Sequence, residues 1–394
     1  MTQHARSRTI ALLITALALL APPPARAADS QAPPTAPTDT GTPAPIAVPP
    51  PAAIDLNAMV DVYSGYNFNG TSSGTNQIRA FDVQDGGFAL NFAKLTLAAK
   101  TARGGIRMDA GFGSATDALL AADPSSKTDP TNARWLSHIE QAYGSVALPI
   151  GKEVTLDAGK FVTQHGFEVI ETRDDWNYSR SLLFTWAIPF FHTGLRASYA
   201  PSAELGLMLC WVNGWNTVIE EGSSMRTLGV QASYKPRPSV TLVVNDMFGL
   251  EKAPTAMAGA PASFRNLVDA SLTFSPTGRL SLALNADLGT DSVAGQGVSW
   301  SGAAGYARYQ ARSFLAGTAR VEYFADSDGF MTGNRQHIFE ATATAELSGT
   351  LARTSVLLRL EYRHDHSDAM VFDAGAPTSQ RDQDTVLVGA VAFF

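Results

Sequence analysis

One cysteine in 394 residues, Cys210, excludes an internal disulfide. It sits in Leu207-Met208-Leu209-Cys210-Trp211, where a packed, unreactive thiol is expected. Past the leader no run of 18 apolar residues occurs, so no helix is expected to cross a membrane. Charged residues make up only 16% and the net charge is −7, which argues against a nucleic-acid partner. No spaced set of metal ligands occurs and no strand offers a nucleophile with a nearby base, so neither an enzyme nor a cofactor is expected.

What is present is alternation on two scales. From Arg353 to Arg363, Thr354, Val356, Leu358, Leu360 and Tyr362 fall on one face of an extended chain; Arg353, Ser355, Arg359, Glu361 and Arg363 fall on the other. Leu280, Leu282, Leu284 and Leu288 likewise oppose Arg279, Ser281, Asn285 and Asp287, and Ile106, Met108, Ala110 and Phe112 oppose Arg107 and Asp109. A membrane-spanning strand needs about 9–11 residues. Sixteen segments qualify: 55–66, 88–99, 105–113, 138–149, 153–162, 190–200, 204–213, 225–235, 240–250, 264–274, 280–289, 298–309, 314–325, 337–347, 353–364 and 385–394.

Connections alternate too. Pro149-Ile150-Gly151-Lys152, Pro201-Ser202-Ala203, Pro236-Arg237-Pro238, Ser275-Pro276-Thr277-Gly278 and Ser348-Gly349-Thr350 are turn chemistry. Between them lie long polar stretches at 67–87, 114–137, 163–189, 326–336 and 365–384. The pattern predicts an all-β, antiparallel, up-and-down transmembrane β-barrel with periplasmic termini and long external loops. Fourteen or eighteen strands are the alternatives, because 298–325 lacks a defined turn. A soluble β-sandwich would bury the apolar faces equally well, but would leave the short/long alternation and the terminal Phe393-Phe394 unexplained. Tyr63, Tyr66, Tyr143, Tyr199, Tyr234, Tyr309, Tyr323 and Tyr362 lie toward strand ends, where aromatic rings settle at headgroup level.

Arg6 and Arg8 precede an apolar run from Ile10 to Leu20 and the small-x-small Ala25-Arg26-Ala27. This reads as a signal peptide, 1–27. Residues 28–53, nearly all Ala, Pro, Thr, Asp and Gln, read as a disordered periplasmic linker, with a tether to the cell wall as the alternative. The barrel then occupies 54–394, in the outer membrane of a Gram-negative bacterium, against lipid and lipopolysaccharide.

Charge inside such a barrel selects solutes. The 163–189 stretch carries Glu168, Glu171, Arg173, Asp174, Asp175 and Arg180, together with Phe167, Trp176, Tyr178, Leu182, Leu183, Phe184 and Trp186. Water-exposed loops have no use for so many apolar side chains, so it is expected to fold into the lumen; the alternative is packing on the rim or on a neighbouring protomer. Asn177 or Ser179 is positioned to cap a short helix over 181–184. Opposing wall charges are Arg107, Arg320, Arg359, Arg363, Asp109, Asp157, Asp287, Glu322 and Glu361. The bland alternative is that these charges only brace the wall. His364-Asp365-His366 is the densest group of catalytic residue types, and it lacks partners at a fixed spacing.

Several local motifs resemble one family, the β-barrel porins of the OmpL-like, BBP2 type. They are Tyr66-Asn67-Phe68-Asn69, Gln141-Ala142-Tyr143, Gly159-Lys160-Phe161 with Gly166 and Glu168, Asn177-Tyr178-Ser179-Arg180-Ser181, His192-Thr193-Gly194 and Asn213-Gly214-Trp215. The resemblance runs from about Asp61 to Phe394 and implies an outer-membrane barrel passing small hydrophilic solutes or ions. It brings no substrate. A homo-oligomer is compatible with it. A barrel-borne hydrolase and a structural barrel tethered to the cell wall are the rival functions.

Overall fold

Backbone N–H and C=O groups have no water to bond in hydrocarbon, so strands can cross a membrane only if the sheet closes. The computed structural model describes residues 53–219, 226–251 and 262–394, and among these, sixteen antiparallel strands form one closed barrel. They begin with β1 (Ala53–Asn67), β2 (Ala89–Thr101), β3 (Gly104–Phe112), β4 (Ile139–Leu148) and β5 (Val154–Val162). Next come β6 (Phe191–Tyr199), β7 (Leu205–Val212), β8 (Thr227–Arg237), β9 (Val240–Glu251) and β10 (Ser263–Phe274). Then follow β11 (Leu280–Val293), β12 (Gln296–Arg312), β13 (Leu315–Asp326), β14 (Gln336–Leu351) and β15 (Thr354–Ser367). The C-terminal strand (Asp382–Phe393) pairs with both β15 and β1 and closes the ring. The signal peptide and the linker lie outside the described residues.

Side chains obey the period of two. On β15, Leu358, Leu360 and Tyr362 are exposed outward, whereas Arg359, Glu361, Arg363 and Asp365 are buried inward. On β11, Leu282, Leu284 and Leu288 point out and Asn285 and Asp287 point in. A one-residue slip would exchange these faces; the register is the expected one. The 298–325 ambiguity resolves into β12 and β13, joined by two residues, with Arg312 opposite Leu315. Sixteen is therefore the count.

Three local expectations are corrected. Ser348-Gly349-Thr350 lies within β14; the reversal falls at Ala352 and Arg353, both at positive φ (48° and 76°), so Arg353 is a turn residue and not part of a polar face. Tyr63 and Tyr143 point inward: Tyr63 is buried, with its hydroxyl accepting from the Gln84 N–H, and Tyr143 lies under Arg196. The 114–137 stretch is not plain loop but two short helices, α1 (Ser114–Ala122) and α2 (Pro130–Ser137), and Asp129 caps the second through the Asn132 N–H at 3.2 Å.

A barrel of this size has room inside, and loops fill much of it. Phe81, from the loop after β1, meets Phe184 and Phe190 with ring centroids 5.9 and 5.5 Å apart. Trp215, Trp300 and Phe330 extend the same apolar cluster at the loop end. Burying one such side chain contributes roughly 1.5–3 kcal/mol, so the packed aromatics hold the incoming loops firmly.

Candidate functional site: the loop-filled lumen

The loop after β5 crosses the interior and bonds inward-facing groups of most of the strands, among them β1, β2, β8 and β10 to β15. Its N–H groups are the donors. Gly166 and Phe167 donate to Asp269 on β10 and Asn285 on β11, both at 3.1 Å. Tyr178 and Ser179 donate to the Glu361 carboxylate on β15 at 2.6 and 2.9 Å. Leu182 donates to Glu322 on β13 at 2.7 Å. The Tyr178 hydroxyl and the Thr172 hydroxyl both donate to Asp61 on β1, at 2.7 and 2.6 Å. The Asn177 amide reaches Thr344 on β14, and the Trp300 indole on β12 donates back to the Ala187 carbonyl.

Arginines take the loop's carbonyls. Arg359 donates to those of Thr172, Asp175 and Asn177 at 2.5–3.0 Å while pairing with Glu346. Arg320 binds the Ser179 carbonyl and Glu168 while held by Glu340. Arg363 reaches the Arg180 carbonyl at 2.6 Å and pairs with Asp365. A backbone group buried without a partner costs about 1–3 kcal/mol, and here the wall supplies partners to the N–H groups of Gly166, Phe167, Tyr178, Ser179 and Leu182 and to the carbonyls of Thr172, Asp175, Asn177, Ser179 and Arg180. Wall glycines make the approach close enough: a Cβ at Gly389 would sit 2.3 Å from the Tyr178 ring, and one at Gly302 would sit 2.4 Å from Leu183.

The loop is also tied to itself. Glu168 accepts from the Ser181 N–H at 2.6 Å, and Asp175 accepts from the Val169 N–H at 2.9 Å. Burial raises the Asp175 carboxyl well above the usual range, against the pull of Arg180 2.9 Å away. Arg180 is spent on the carbonyls of Val169, Ile170 and Tyr178. A π-helical turn, Leu183–Ala187, replaces the expected helix over 181–184, and its capping oxygen comes from Ser181, which accepts from the Phe184 N–H at 3.0 Å. Asn177 and Ser179 do not cap it. Their side chains reach across to Thr344 and Arg320.

Nearby, Lys94 stands among Asp109, Glu140 and Glu171, whose oxygens lie within 4.8 Å of one another. Three carboxylates at that spacing suit a metal, but the ammonium occupies the position a cation would take. Asp287 faces Asp269 across the β10–β11 pair, buried, with neither oxygen hydrogen-bonded.

The remaining sequence-predicted charges face the turn end, past the tip of the loop. Arg107, Arg196 and Arg308 lie three or four residues from the turn ends of β3, β6 and β12. Their side chains are 35%, 15% and 20% exposed, whereas their partners Asp109, Asp157 and Glu346 are 0%, 9% and 5% exposed. At the loop tip Arg173 is 22% exposed above the Phe393 ring, beside an open Asp174. Arg196, Arg308 and Glu346 were not singled out from the sequence, nor were the loop's acceptors Asp61 and Asp269, while Asn285 was placed only on the polar face of its strand. Strand alternation alone marks all six as inward positions.

The chain matches the family model described as "Putative beta-barrel porin-2, OmpL-like" over residues 53–394. No curated protein matches it. Among solved structures it is similar to OmpT of Vibrio cholerae in its trimer form, at 8% identity and a TM-score of 0.59, covering 88% of this chain and all of that one. DcaP, an outer-membrane channel of Acinetobacter baumannii, is similar at 12% identity and 0.57, covering 87% and 98%. The anion-selective porin of Comamonas acidovorans follows at 12% and 0.55, covering 87% and 100%. These low identities speak for the fold alone; the match along the whole barrel assigns the chain to the OmpL-like β-barrel porin-2 family of outer-membrane channels.

Proposed function

We propose that the protein is a passive diffusion channel for small hydrophilic solutes, whose aperture is set by the loop after β5. The observation that carries this is the seam of charge-assisted bonds fixing that loop across the lumen, with guanidinium groups left uncovered at the turn end. The turn end faces the periplasm in this reading, after removal of residues 1–27, with 28–53 as the linker. Charged groups fixed at a narrow point focus the local field and sort ions by sign. Purified protein in planar bilayers should give discrete conductance steps. Neither conductance nor liposome swelling from correctly folded protein would end the proposal.

A hydrolase reading draws on one observation. The Ser327 hydroxyl lies 3.1 Å from His337 Nε2, and His337 Nδ1 lies 2.7 Å from Asp368. That is nucleophile, base and orienting acid in sequence. The His337 and Asp368 side chains are 42% and 54% exposed, so water screens the pair, and the channel reading is preferred. Ester hydrolysis abolished by Ser327→Ala with conductance intact would reverse that preference. The rival site at His364-Asp365-His366 is split by the strand, which sends Asp365 inward to Arg363 and Arg79 and both histidines outward.

A further inference from the structure

Two of the seven histidines, His364 and His366, stand together on the outside of the barrel at the loop end. His364 and His366 share the outward face of β15, and cross-strand pairing sets them opposite Asp384 and Asp382 of the C-terminal strand. The result is a two-by-two array of imidazoles and carboxylates. Asp382 Oδ1 lies between the rings, 2.7 Å from His366 Nδ1 and 3.9 Å from His364 Nε2. The second separation is too long for a hydrogen bond. Asp384 holds His364 from behind, accepting at Nδ1 at 2.9 Å, and is itself tied to the Tyr362 hydroxyl at 2.5 Å.

We propose that His364, His366 and Asp382 form a surface site for a divalent transition-metal ion of the zinc class. Zinc takes His nitrogen and carboxylate oxygen at about 2.0–2.2 Å in a tetrahedron. Neighbouring ligands then stand about 3.3 Å apart, between the two separations from Asp382, whereas the two imidazole nitrogens that face it stand more than 4.8 Å from each other and must close on the ion. Turns of the rings, which are 34% and 47% exposed, bring both nitrogens to one ion beside Asp382 while Asp384 keeps its hold on His364. A carboxylate behind the far nitrogen of a ligating imidazole fixes its tautomer and raises its basicity, and Asp384 does this for His364. Water completes the coordination on the exposed side. The donor set disfavours Mg²⁺, which prefers oxygen ligands only.

The test is calorimetric titration of ZnCl₂ into the purified full chain in detergent, with heat-modifiable electrophoretic mobility confirming a folded barrel. Wild type should bind one Zn²⁺ per chain without competition from Mg²⁺. His364→Ala with His366→Ala should abolish binding, Asp384→Asn should weaken it about 10–100-fold, and His337→Ala should leave it unchanged. No saturable Zn²⁺ binding by wild type, or undiminished binding by the folded double variant, would overturn the site.

Discussion

Leu358 and Arg359 are neighbours in sequence with opposite surroundings. Leu358 is 46% exposed on the outward face, whereas Arg359 is 2% exposed, with its guanidinium divided between Glu346 and three loop carbonyls. Leu358→Arg should cost roughly 2–4 kcal/mol of folding stability in lipid, by placing a cation against hydrocarbon. Arg359→Leu should cost a comparable 3–5 kcal/mol or so, because it breaks a buried pair and strands the carbonyls. Stability alone therefore does not distinguish them; amide exchange does. Protection across 172–179 should fall in Arg359→Leu and hold in Leu358→Arg. Equal loss in both would contradict the assignment of Arg359 as a clamp. Gly389 tests the same contact from the wall. Gly389→Val meets the Tyr178 ring, so it should free the Tyr178 hydroxyl from Asp61 and raise exchange in the loop while the barrel still forms.

At the scale of elements, strands were legible in the sequence and the interior was not. Period-two patterning needs only one apolar face, so β3, β11 and β15 could be read from a few leucines, an isoleucine and their charged neighbours. The 163–189 loop betrayed itself by apolar residues that water would not tolerate. Its partners were hidden, because an inward Asp or Glu reads alike whether it meets solvent or a backbone N–H. The turn at Ala352-Arg353 was missed because neither residue is Gly or Asn, the usual occupants of positive φ. The loop's hold on the wall makes a prediction for the element as a whole. Glu361→Gln with Glu322→Gln removes the charge from acceptors that serve Tyr178, Ser179, Leu182 and Leu183. Hydrogen bonds to charged groups contribute about 1.5–3 kcal/mol each, so losing that charge should loosen the loop. Single-channel recordings should then show larger or noisier conductance; steps identical to wild type would mean that the loop does not set the aperture.

For the whole molecule, a net charge of −7 is a poor guide to what a permeant ion meets. At the turn end of the lumen three ion pairs are ordered by burial: Asp109, Asp157 and Glu346 lie against the wall, and Arg107, Arg196 and Arg308 stand partly uncovered in front of theirs. Each ion pair is close to neutral from a distance, but at a few ångströms its nearer member dominates, and that member is a guanidinium with donors to spare. Arg107 and Arg196 each turn Nε and Nη2 toward their aspartates, which leaves Nη1 for a solute, whereas Arg308 gives Nη2 to Glu346 and keeps Nη1 buried. Anions should therefore pass more readily than cations. Replacing all three arginines with Gln keeps the bulk and takes one cation from each of Asp109, Asp157 and Glu346, leaving Lys94 on the first and Arg359 on the last. Reversal potentials across a KCl gradient should indicate anion preference in wild type and move toward cation preference in the triple variant, by more at low ionic strength, where screening is weak. A wild-type channel that prefers cations, or a triple variant whose reversal potential does not move, would show that the arginines only brace the wall and that selectivity is set elsewhere along the lumen.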